Sequence, residues 1–165
     1  MFIAKTNCPV PFDQQPLNEY LVLKKSWLFS WSNNNLAYYI HIIYCIILFL
    51  FIVCGFILCY LFGYLNNFFK LLIIDFLIVD MICFCLFCRL YLGWSYIAKR
   101  LISASVFYEE SGWYDGQIWV KTIHMLTRDR LIGLYQVMPF LTRIKYTCYM
   151  FGINFWFHYF LYYVF

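Results

Sequence analysis

The sequence predicts an all-α membrane protein: a transmembrane helical hairpin with a third C-terminal span, topped on one side by a small α+β cap. Three observations lead there. Apolar residues fill 65% of the 165 positions and charged residues only 12%, against roughly 45–50% and 25% in a soluble domain, so the chain cannot cover itself with a water-facing surface. Two uncharged or nearly uncharged runs are each longer than the about 20 residues that cross a bilayer. Most of the charge is gathered in one later segment, where the apolar pattern breaks. A mean hydropathy of +0.72 excludes disorder, which needs low hydrophobicity and high charge.

Residues 1–36 read as a polar arm. Pro9, Pro11 and Pro16 each push the preceding residue out of the helical region, which predicts an extended stretch. No apolar or Arg-rich leader is visible in the arm, so no removable signal is expected. Trp27 and Trp31, just before Asn33-Asn34-Asn35, suit a membrane–water interface. Residues 37–98 form the hairpin, with spans over about 37–62 and 71–97 and a turn carrying Asn66 and Asn67 between them. Residues 99–145 form the cap. Val106-Phe107-Tyr108 and Ile118-Trp119-Val120 are β-prone around Asp115-Gly116, a strong tight-turn pair. A short helix follows over about Met125 to Tyr135, stopped by Pro139. Residues 146–165 contain no Lys, Arg, Asp or Glu and form the third span; an aromatic-rich helix lying in the interface is the competing reading.

The basic residues set the orientation. Lys5, Lys24 and Lys25 precede the first span and eight more lie from Arg89 to Lys145, while Lys70 alone is in the turn. Two crossings therefore leave the arm and the cap on the basic side. The net charge of +4 is too slight and scattered for a nucleic-acid surface. Six of the eight cysteines lie inside apolar runs, where Cys behaves as a small buried hydrophobe. Cys83, Cys85 and Cys88 do not converge on a continuous helix as a metal site needs.

Asp80 is the chief anomaly. It lies roughly 18 Å deep at 1.5 Å per residue, counted from Leu92, and a carboxylate there must be protonated, paired or hydrated. His158 reaches the same depth on the third span, so Asp80 and His158 are expected to meet, with Asn154 one turn nearer the surface. Asp75, five residues from Lys70, is read as approaching the interface. His41 and His158 are the imidazoles placed to ligate a chlorophyll magnesium or haem iron. In the cap, Glu109, Glu110, Gly112, Trp113, Tyr114, Asp115, Gly116 and Trp119 gather acidic groups, turn formers and aromatics, which reads as a partner-binding loop. Arg128 and Arg130 are expected to pair with its carboxylates. No nucleophile–base pair, di-iron spacing or phosphate-cradling glycine motif is present, so no catalytic residue and no metal site is assigned.

Two blocks go further. CPVPFDQQPLNEYLVLKKSWLFSW at 8–31 and RLYLGWSYIAKRLISASVFYEESGWYDGQIWVK at 89–121, followed by LTRDRLIGLYQVMP at 126–139, closely resemble the hypothetical chloroplast reading frame thirty-six family of cyanobacteria, plastids and plants. The sequence departs from that pattern at Thr122-Ile123-His124, where the family continues into prolines. The resemblance implies a plastid thylakoid membrane, with the basic side facing the stroma. It leads to the expectation of a non-catalytic accessory or assembly factor, or small auxiliary subunit, of a photosynthetic pigment–protein complex. The partners would be thylakoid lipid and photosystem or light-harvesting subunits. The alternative is a tetrapyrrole- or metal-handling membrane protein that holds chlorophyll or haem.

Overall fold

A computed structural model describes residues 9–62, 68–109 and 116–164. The arm is not extended throughout as its prolines suggested. A 3-10 turn at Phe12–Gln14 leads into α1 (Pro16–Lys25), with Pro16 at its first position, where the missing N–H would have had no helical partner. Ser26 breaks the helix in extended backbone, α2 (Trp27–Ser30) follows, and a second 3-10 turn at Trp31–Asn33 delivers the chain to α3. Then come α3 (Leu36–Phe62) and α4 (Phe68–Ile102), the strands β1 (Ser105–Tyr108) and β2 (Gln117–Val120), α5 (Ile123–Ile132) and α6 (Met138–Val164). The structure is thus mostly helical, with two long apolar helices and one small sheet. The strands pair antiparallel with Ser105 opposite Val120 and Tyr108 opposite Gln117.

α4 is the axle. Its buried residues Val79, Cys83, Phe87, Leu90, Trp94, Ile97 and Leu101 recur at steps of three and four, the single stripe a helix turns toward one core. α6 packs along that stripe, antiparallel: Phe140 meets Trp94, Cys148 meets Cys88, Phe151 stacks on Phe87 and His158 reaches Asp80. α3 lies against α4 in the same opposed sense, Tyr39 near Phe87 and Phe51 near Phe76. The Tyr39 hydroxyl also bonds the Thr147 hydroxyl of α6 at 2.9 Å, so the three helices meet at the end nearest the arm.

Two expectations are corrected here. Pro139 does not end a helix. The wide π-type turn Gly133–Val137 joins α5 to α6 just before it, and this change of hydrogen-bond register absorbs the donor that proline lacks. The last helix accordingly begins at Met138 rather than near residue 146. Second, α3 and α4 are the described helices long and apolar enough to cross a membrane, and α6 is not among them. Arg143 and Lys145 occupy its first half, and Asn154, His158 and the tyrosines dilute the second.

Candidate functional site

Trp94 fixes the top of the molecule. It is fully buried, its indole N–H donates to the Ser32 hydroxyl at 2.8 Å, and the Ser32 hydroxyl in turn donates to the Phe29 carbonyl at 2.7 Å. The rings of Tyr20, Phe29 and Phe140 surround it, so one side chain of α4 joins α1, α2 and α6. Gly93 permits this closeness: a Cβ there would lie 2.6 Å from the Phe29 ring.

One turn higher, the C-terminal end of α4 exposes carbonyls that have no helical donor. Lys121 Nζ donates to the Arg100 and Leu101 carbonyls at 2.9 and 3.1 Å, and Arg130 Nε to the Ile102 carbonyl at 3.2 Å. Cations at this end also complement the helix dipole. Lys121 is buried and paired with buried Asp129 at 3.0 Å. Burial pushes its ammonium below the usual lysine range, against the opposing pull of Asp129. Arg128 lies against Asp129 at 3.4 Å, so neither arginine makes the expected pairing with Glu109.

The arm is clamped to this end by two side chains. Arg100 reaches Glu19 at 2.5 Å, the Gln14 carbonyl at 2.9 Å and the Phe107 carbonyl at 3.3 Å. The Gln14 amide both donates to the Glu109 carbonyl and accepts from the Glu109 N–H, each at 2.9 Å, as a neighbouring strand would. Burial holds the Glu19 carboxyl above the usual range, the Arg100 guanidinium opposing it, and its second oxygen is enclosed without a partner.

Of the loop residues read as partner-binding, Glu109 directly follows β1, Gly116 is exposed with open space around it, and Trp119 packs against Val10, Val106 and Tyr108. Trp119 therefore belongs largely to the cap's own small core. Glu110, Gly112, Trp113, Tyr114 and Asp115 lie outside the described residues.

The deep half of the helices holds a second polar group. His158 Nδ1 and Asp80 Oδ2 are 2.6 Å apart, with side chains 20% and 9% exposed, so the structure brings together the two residues expected to meet. Phe76 stacks on the imidazole with centroids 5.0 Å apart. Asn154 is exposed. His41 is exposed on α3, and its Nε2 lies 3.7 Å from Cys45 Sγ. Asp75 was read as able to approach the interface. It is buried between α4 and α3 with one oxygen unpartnered, and its other oxygen would stand 3.1 Å from a Cβ at Gly55. A glycine facing a carboxylate across two spans was a signal the sequence offered. Among the described residues no three His, Cys, Asp or Glu side chains cluster to hold a metal ion.

Comparison with known proteins places residues 8–150 in the family described as CGLD27-like, conserved in the green lineage and diatoms 27. The chain is 49% identical over 156 residues to the uncharacterized protein ycf36 of Cyanophora paradoxa, covering 86% of this chain and 89% of that one. It is 47% identical over 148 residues to the protein of that name from Porphyra purpurea, covering 89% of each. A chloroplastic protein of Arabidopsis thaliana, conserved in the green lineage and diatoms 27, is 38% identical over 154 residues, which span 84% of this chain and 42% of the plant protein. No solved structure matches.

Proposed function

The chain belongs to the CGLD27-like family, and from that premise we propose that it is a non-catalytic integral protein of the plastid thylakoid membrane. In this reading it is an accessory or assembly factor of a photosynthetic pigment–protein complex. The observation that carries the reading is α3: only 6% of its most apolar window is buried within the protein. Residues such as Phe49, Ile52, Phe56 and Tyr60 are more than half exposed along it. Uncovered apolar surface of that extent cannot face water; lipid and a partner's helices are what it suits. α4 crosses beside α3, and α6 packs along α4. The arm, α5 and the two strands lie together on the stromal face, where the basic residues gather. From there the loop containing Trp113 and Tyr114 contacts photosystem or light-harvesting subunits. The chloroplastic relative supports the plastid location.

Two measurements test this. Thylakoid membranes washed with alkaline carbonate should retain the protein, and release into the wash would refute membrane insertion. Affinity capture from solubilised thylakoids should recover photosystem or light-harvesting subunits, and Trp113→Ala should reduce that recovery. Equal recovery with the variant would remove the loop from the interface.

A further inference from the structure

A ring nitrogen of the deep histidine is unaccounted for. His158 turns Nδ1 to Asp80, and in the neutral tautomer that donates from Nδ1 to the carboxylate, Nε2 keeps its lone pair. Nε2 makes no hydrogen bond among the described residues, and it is not among their enclosed unpartnered atoms. It therefore opens onto the surface of the helix pair. A carboxylate that fixes the tautomer and rotamer of an imidazole, leaving the second nitrogen free, is the arrangement that supports histidine as a metal ligand. Stacking by Phe76 restricts the ring further.

The same geometry limits which metal can bind. With no group of three ligating side chains among the described residues, a bare ion would find no cluster of protein ligands to hold it. A metal that arrives with its other ligands already in place needs only the one. A metallated tetrapyrrole brings four nitrogens in a plane and takes an imidazole on its axis. Its broad apolar faces also suit the surroundings: Phe157, whose ring centroid lies 5.7 Å from that of the imidazole, is more than half exposed.

We propose that His158 Nε2 is the axial ligand of a metal tetrapyrrole held against the deep half of α6, with Asp80 as its positioning residue. Among the described residues no carboxylate bonds His41, and it is not part of the site. The proposal does not depend on the cap or on what the cap binds.

The test uses the full chain in detergent micelles, titrated with zinc protoporphyrin IX, whose zinc takes one axial ligand, and in parallel with metal-free protoporphyrin IX. Wild type should shift the Soret band of the zinc compound to the red at one equivalent, and His158→Ala should abolish the shift. Asp80→Asn should weaken binding by about ten- to a hundredfold while leaving the bound spectrum that of an imidazole complex. His41→Ala should change nothing. Because emptying the ring position can disturb the fold, His158→Gly is measured with and without free imidazole, which should restore the shift. The proposal is overturned if wild type gives no shift, or if His158→Ala retains it. Equally damaging would be metal-free porphyrin binding with the same affinity as the zinc compound, or a failure of imidazole to rescue the glycine variant.

Discussion

The two ends of α4 handle buried polar groups in opposite ways. At the cap end every exposed carbonyl of the last turn that bonds a cation does so inside the chain: Lys121 takes Arg100 and Leu101, and Arg130 takes Ile102. Trp94 and Ser32 complete a closed hydrogen-bond chain beneath them. Four segments distant in sequence converge there. At the deep end the polar groups are few and partly open, with Asp75 lacking a partner for one oxygen and His158 leaving one nitrogen free. α3 beside them is nearly bare. The cap end is finished by its own residues, whereas the deep end is shaped for something the chain does not supply.

If that contrast is right, the cap end should be where single substitutions cost most. Lys121→Met removes the cation between Asp129 and the end of α4. Breaking one side of a buried pair costs about 3–5 kcal/mol, so this variant should show the largest loss of thermal stability in micelles. Lys121→Met combined with Asp129→Leu should recover much of it, because no charge is then left unpaired. Gly93→Ala comes next. Its Cβ would stand 2.6 Å from the Phe29 ring, and overpacking of that kind costs about 1–3 kcal/mol. The arm should then become sensitive to protease before the helices melt. Phe29→Leu in the same chain should restore much of the resistance.

The deep end should respond differently. Asp75→Asn keeps the shape and deletes the chance of charge at a carboxyl that already lacks one partner. Its effect should stay within about 1 kcal/mol of wild type, since the swap gives up no hydrogen bond made by Asp75 among the described residues. Asp80→Asn, which weakens a made contact to His158, should cost more. Equal effects at the two positions would erase the distinction between them.

How far the sequence alone could go follows the same division. The two apolar helices were readable because length and composition suffice, and so was the meeting of Asp80 with His158, since both depths follow from rise per residue. The strands were readable because Asp115-Gly116 separates two β-prone triplets. The closure of the cap was not, because Lys121, Arg100 and Gln14 act on backbone carbonyls brought near only by tertiary packing. Nothing in a lone lysine after Val120 says which helix end it will cap. Pro139 misled for a related reason: its effect on a helix depends on whether the preceding turn is α or π. The burial of Asp75 against α3 was not legible because distance from Lys70 was weighed and the opposing Gly55 was not.

The smallest effect concerns Glu19, and its sign separates burial from ion pairing. A carboxylate held mainly by Arg100 would have a lowered pKa, and acid would loosen the arm. Here burial outweighs the guanidinium and raises the pKa above 4.5. The folded state therefore binds the proton more tightly than the unfolded chain does. The stabilisation from this group is complete below pH 4.5 and is lost as pH rises through the raised folded value. Protease cleavage of the arm should accordingly be slower at mildly acidic pH than at neutrality, by a small factor, once the protease's own pH dependence is corrected with an unstructured substrate. Glu19→Gln should remove the dependence, because an amide has nothing to titrate. A wild-type arm that loosens on acidification would mean that the Arg100 contact dominates and that the cap end is less enclosed than the packing around Glu19 implies.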